Sequence, residues 1–211
     1  MGRYAVNMGR PRLHDERTGA ALLEAAEGIV ETDGLEALSI RRVADEVGTT
    51  SRAVYTVFGS KIGLVVALGS RAFDLLGAAV DALPVTDDPA ADLVASGVVG
   101  FRTFAVQHPA LFRIGVQRVA LSPEVARGSA GAATVALGSL HARIARLSDS
   151  GGLGRRSVPD ATWEFHALCE GLAALELRCN LPSAHAQHLW TDALSALLAG
   201  WRLQSPASER R

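Results

Sequence analysis

The stretch TTSRAVYTVFGSK, residues 49–61, gathers the hydroxyls of Thr49, Thr50, Ser51 and Thr56 with the guanidinium of Arg52 and the phenol of Tyr55. It ends in Lys61, the only lysine of the chain. All of these groups donate hydrogen bonds, and two are cations at neutral pH. Such donors suit phosphate oxygens and base edges: arginine bridges a guanine, and hydroxyls serve either. Bond-making chemistry is not indicated. No nucleophile–base pair and no set of three or four metal ligands stands out. The pairs His166/Cys169 and His185/His188 have i,i+3 spacing, but two ligands do not make a metal site.

Two short helices would hold these groups. Ser39 caps IRRVADEV, in which Ile40, Val43, Ala44 and Val47 face one way and Arg41, Arg42, Asp45 and Glu46 the other. Gly48 ends it, and RAVYTVF follows after TTS, broken by Gly59. The second helix is too short to stand alone. Its inner residues Val54 and Phe58 can close on Leu22, Ala26 and Ile29 of an upstream amphipathic helix that stops at Gly34. That is a helix-turn-helix supported by a third helix. Its outer face, small and polar, fits a major groove about 12 Å wide.

Composition agrees with a helical chain. Of the 211 residues, 48% are hydrophobic, much of that alanine, and β-branched runs are short. Net charge is −1, so a nucleic-acid surface must come from distribution. Arg3, Arg10 and Arg12 precede any acid, residues 15–36 are acidic, and 39–61 is basic. The N-terminal arginines would either reach DNA or stay solvated. Cys169 and Cys179 sit about 15 Å apart if on one helix, too far for a disulfide within it. Free thiols and the cytoplasm are expected. No secretory signal is visible, and no apolar run is expected to span a membrane.

The residues ALSIRRVADEVGTTSRAVYTVFGSKIGLVVAL resemble the helix-turn-helix of TetR-type transcriptional regulators. The marks are Ser39, Ile40, Val43-Ala44, Val47-Gly48, Tyr55, Phe58, Ser60-Lys61 and Leu64, within a likeness covering about 14–68. The segment QHPALFRIGVQ resembles the H-P-x-L-F-R run of one C-terminal subgroup. The resemblance implies that Tyr55 and Lys61 grip phosphates. It implies that Ser39 and Arg41 touch the backbone or a base, and that Thr50, Ser51, Arg52 and Ala53 face the groove, flanked by Thr49 and Thr56. Many members carry histidine where this chain has Val57, which puts one phosphate contact in doubt. The family further implies a homodimer on a pseudo-palindromic double-stranded DNA operator. A small-molecule effector would release it. No cofactor and no metal are expected.

The expected fold is all-α with about nine helices. A basic tail (1–12) is followed by the helix-turn-helix head (13–60), a ligand and dimerisation domain (61–204) and a loose tail (205–211). Helices are expected over about 61–82, 89–107, 109–119, 122–148, 161–180 and 184–204, with a flexible loop at DSGGLGRRSVPD. Pocket candidates are Phe101, Arg102, Phe104, Phe112, Gln117, Trp163, His166, Cys169 and Glu170, aromatic or polar residues in Ala/Leu-rich helices. Each is equally a core residue by type, and the pocket itself is implied mainly by the resemblance. Apolar stripes on the last two helices are dimer candidates: Leu168, Leu172, Leu175, Cys179, Leu189, Ala193, Leu194, Leu197 and Trp201. Three alternatives stay open: a DNA-binding dimer without ligand control, an activator, or an all-helical enzyme with a vestigial helix-turn-helix.

Overall fold

The computed structural model describes residues 11–117, 122–179, 181 and 183–203; of residues 11–16, 183 and 184 it describes the backbone alone. Among them the chain is all-helical, without a strand. The expected tails lie largely outside these residues, and the first helix already runs from Pro11. Contacts divide the chain into two compact units, Met1–Leu68 and Gly69–Arg211.

The first unit holds α1 (Pro11–Asp33), α2 (Ile40–Val47), α3 (Ser51–Phe58) and the start of α4 (Lys61–Asp81). Leu22, Ala26, Ile29 and Val30 of α1 recur at helical spacing and are buried with Val43, Ala44 and Val54. The connector at Leu35–Ala37 closes into a 3₁₀ turn, which places Leu38 fully inside.

In the second unit the expected helix at 89–107 contains a defect that periodicity does not reveal. It runs as α5 (Pro89–Ala95), a π-helical turn (Ser96–Phe101) and α6 (Arg102–Gln107). The wide turn coincides with close packing at Gly97, where a β-carbon would collide with Leu194 and crowd Phe165 and Cys169. α7 (Pro109–Gly115) follows. The glycine-weakened helix expected at 122–148 breaks at Ser129 into α8 (Pro123–Gly128) and α9 (Ala130–Asp149). Gly131 and Gly138 stand where a β-carbon would meet no atom. The loop expected to be flexible is a tight turn that buries Leu153, with Gly151 and Gly154 at positive φ. α10 (Val158–Leu177) and α11 (Ser183–Leu203) complete the unit.

α4 corrects one expectation: by length and composition it is apolar enough to cross a membrane. Its stripe of Leu64, Val65, Leu68, Ala72, Phe73, Leu76 and Val80 is buried in the protein instead.

Charges pin the helices of the second unit. Arg143, itself buried, donates to the carbonyls of Val80, Leu83 and Pro84, which end α4. Glu176 accepts a forked pair from Arg102 and the indole of Trp190, and Glu164 likewise serves Arg156 and Trp201. Buried Asp92 accepts from the Thr86 amide and hydroxyl and from Arg146. Burial alone would raise its pKa; the Thr86 and Arg146 hydrogen bonds outweigh that and hold it at about 2. The stability this contributes is complete above the unfolded value of 3.8 and is lost as pH falls toward about 2. Removing one partner of such a pair leaves the other uncompensated. Asp92→Asn is therefore expected to lower stability by about 3 kcal/mol in urea unfolding near neutral pH. Its unfolding should also lose the acid dependence between pH 4 and 2 expected of the wild type.

Candidate nucleic-acid interface

Each candidate in the head is set by a helix end. The Ser39 hydroxyl accepts from the Arg42 amide at 3.2 Å and starts α2. Gly48, at φ 68°, turns the chain out of it, a left-handed conformation costly for other residues. The Thr50 hydroxyl accepts from the Ala53 amide at 3.3 Å and starts α3. Gly59, at φ 72°, ends α3, and the Ser60 hydroxyl accepts from the Gly63 amide at 2.9 Å to start α4. The cap hydroxyls of Ser39 and Thr50 act as acceptors toward the backbone, which leaves their own protons for an outside acceptor.

α3 buries Val54 and turns the opposite face to solvent: Thr50, Arg52 and Thr56 are exposed, and Tyr55 is 52% exposed. Thr49, Ser51 and Ala53 are half-buried on its flank. Thr56 donates its hydroxyl to the Arg52 carbonyl at 2.9 Å, so it has acceptor capacity to offer and no proton. Arg42 is drawn back to Asp33 of α1, while Arg41 makes only an exposed 3.7 Å pair with Asp45. Among the described residues no ion pair engages Arg52 or Lys61. Lys61 opens α4 two residues past the Gly59 bend, exposed like Tyr55. The unit thus presents a guanidinium, a phenol, an ammonium and two cap hydroxyls without internal carboxylate partners. Helix N-termini add backbone N–H groups that favour phosphate.

The second unit encloses a cavity of about 30 Å³ between α4, the π turn, α9 and α10. That is room for about two water-sized spheres. Phe101 and His166 line it; Trp163 stands on an open groove beside it. The other pocket candidates lie elsewhere. Arg102 is spent on Glu176, Phe104 stacks on His108, and Phe112 is fully buried against Phe101. Gln117 donates its backbone amide to the Phe112 carbonyl beyond α7. Cys169 packs on Gly97, where burial pushes its thiol far up. Burial lowers the pKa of His166 and raises that of Glu170. The two stand 3.7 Å apart, beyond the hydrogen bond that an acid–base couple needs.

The family described as "Bacterial regulatory proteins, tetR family" matches residues 22–68. Residues 22–68 form a TetR-type helix-turn-helix. The match covers the head alone, and it points to a DNA-binding transcriptional regulator rather than an enzyme. Solved structures extend the likeness of fold to most of the chain. A protein of unknown function from Rhodococcus sp. RHA1 has 22% identity and a TM-score of 0.77, covering 88% of this chain and 95% of that one. The TetR family regulator PfmR from Thermus thermophilus has 22% identity and a TM-score of 0.64, over 84% and 97%. RolR, solved with resorcinol, has 15% identity and a TM-score of 0.64, over 94% and 98%. No curated protein matches by sequence.

On this TetR-type frame the dimer candidates separate. Leu172, Leu194 and Trp201 are buried within the chain and serve its own core, Trp201 fixed by its bond to Glu164. Leu175 and Leu189 are exposed, and Leu168, Ala193 and Leu197 half-buried, on α10 and α11, while exposed Cys179 lies in the turn that follows α10.

One residue of the site escaped sequence reasoning. A β-carbon at Gly63 would collide with the Phe58 carbonyl oxygen at the end of α3, so glycine is required in the first turn of α4. The sole signal was a glycine in the first turn of an otherwise good helix. Gly63→Ala is expected to force the junction apart and destabilise the head by about 2 kcal/mol, read by thermal unfolding. By contrast Gly28→Ala, which meets no atom on exposed α1, should be neutral or slightly stabilising.

Proposed function

We propose that the chain is a dimeric, cytoplasmic repressor that binds a pseudo-palindromic operator and leaves it when a small molecule occupies the second unit. The observation that carries the DNA half is the outward face of α3 with Lys61 across the Gly59 bend. These donors lack carboxylate partners, and phosphate and base edges are what would satisfy them. Tyr55 and Lys61 take phosphates on either side of the bend. Ser39, Thr50 and Arg41 add backbone contacts, and Arg52 with Ser51 and Ala53 reads the groove. Thr49 and Thr56 border it as acceptors or packing.

Dimerisation rests on the exposed remainder of the α10 and α11 stripes, Leu168, Leu175, Leu189, Ala193 and Leu197, with Cys179 in the turn after α10. Two copies would present two reading heads, and a two-fold pair implies half-sites a whole number of turns apart. Ligand control rests on the cavity and on the fold likeness to RolR, which was solved with resorcinol. The ligand acts only through its differential affinity for two arrangements of the dimer, and α4, covalently common to both units, would carry the change. The small cavity favours a second reading, a DNA-binding dimer with a packed core and no effector. Screening small molecules for thermal stabilisation separates the two: a shift of several degrees by any compound class supports ligand control.

DNA fragments selected from the genome by the purified protein supply the binding assay. Tyr55→Phe and Lys61→Ala should both weaken binding to every sequence; Lys61→Ala, which removes a cation, should also flatten the slope of log affinity against log salt by about one contact, while Tyr55→Phe should leave that slope unchanged. Arg52→Ala should also change preference among sequences, by about 1–3 kcal/mol at the base it reads. If all three bind as the wild type does, the assignment of roles is wrong.

A further inference from the structure

The cavity in the second unit is too small for any organic molecule as it stands, yet it borders a larger space. On its outer side an open groove of about 230 Å³ runs along α9 and α10, past Thr134, Gly138, His141 and Trp163. Leu137 lines both the cavity and the groove, and it is half-buried. It is the one residue common to both linings. Gly138 beside it carries no side chain and meets no atom, which keeps the groove side open.

A line of rings runs from the groove to the cavity. Trp163, 59% exposed at the groove, meets His166 edge-on at 5.8 Å. His166 meets Phe101 edge-on at 5.7 Å inside the cavity. The indole lines the groove with an apolar face open to a guest. The π turn contributes both Ser96 and Phe101 to the inner wall, and such turns recur at functional sites.

The polar content is sparse. The inner wall carries no Asp, Glu, Lys or Arg. The nearby arginines are committed, Arg102 to Glu176 and Arg143 to the end of α4. Ser96 donates its hydroxyl to the Asp92 carbonyl at 2.8 Å, leaving acceptor capacity only. His166 is the one side chain of the wall with an N–H to give. Burial keeps it neutral, and its Nε2 stands beyond hydrogen-bond distance of Glu170. A charged group placed here would lose its water and find no counter-charge.

We propose that cavity and groove are the inner and outer chambers of one binding site gated by Leu137. The site takes an uncharged, mainly apolar aromatic molecule whose one hydrogen-bonding group meets His166. The inference rests on the reading of the second unit as ligand-receiving and adds to it the gate and the chemical class. A turn of the Leu137 side chain joins the chambers. The ring edges of Phe101 and Trp163 then flank the guest in the geometry aromatic pairs favour.

Two fluorescent probes of one skeleton test it on the full chain: neutral N-phenyl-1-naphthylamine and anionic 1-anilinonaphthalene-8-sulfonate. The neutral probe should bind about tenfold or more tightly than the sulfonate. Leu137→Ala should strengthen its binding several-fold, and Leu137→Trp should abolish it. Trp163→Ala, a change at an exposed position that the fold tolerates, should weaken it if the bulky variant fails to fold. Equal or tighter sulfonate binding overturns the chemical class. Neutral-probe binding that is indifferent to both Leu137→Ala and Trp163→Ala overturns the gate. DNA release is read separately on a selected fragment. Gated binding of the neutral probe without DNA release supports this site and counts against ligand control. Release by an anionic compound but by no neutral one supports ligand control and overturns this inference.

Discussion

The outward face of α3 depends on one buried side chain. α3 is eight residues long, and a helix that short does not hold itself in water. Val54 is the only residue of α3 that is fully inside, against α1 and α2. Burying a valine contributes on the order of 1.5–3 kcal/mol, which suffices only if the helix ends cost little. The ends are therefore built from local chemistry: Thr50 caps one, and Gly59 ends the other by accepting a left-handed turn. Because Val54 faces inward, Tyr55 and Arg52 must face outward, and the periodicity of the helix leaves no other choice. The orientation of these outward donors is thus a consequence of packing on the opposite side.

The second unit solves a different problem. Its helices are rich in alanine and leucine on several faces, so hydrophobic pattern alone leaves their rotation loosely specified. Directional bonds fix it. Trp190 and Trp201 lie on α11 and donate to Glu176 and Glu164 on α10, each glutamate also held by an arginine. Two such clusters, one toward each end of an antiparallel pair, set both rotation and register. Arg143 and Asp92 do the same for the ends of α4 and α5. Buried polar groups of this kind are weak stabilisers but good specifiers when fully satisfied, and no buried side-chain polar atom among the described residues lacks a partner.

The head was legible because caps and turns are encoded where they act. Ser39, Gly48, Gly59 and Ser60 each announce a helix end within a few residues of sequence. Gly63 was not legible, since its requirement comes from a carbonyl five residues back that only the folded junction brings near. In the second unit the helix periods were readable but not their inward sides. Leu194 and Trp201 sit on an apolar stripe that reads equally as interface or core, and the fold made them core. The π turn coincides with close packing at Gly97 and the break at Ser129 with the weak helix around Gly128, of which only the second left a trace in sequence. For Arg102 and Glu176, seventy-four residues apart, no local pattern announces the pair.

The central claim is that DNA is held by the outward side of α3 and the start of α4. Amide hydrogen exchange of the full chain, with and without a selected DNA duplex, addresses it directly. Exchange should slow in residues 39–63, most strongly over the first turns of α3 and α4, under salt that permits binding. Protection confined to the second unit, with residues 39–63 exchanging as in the free protein, would contradict it.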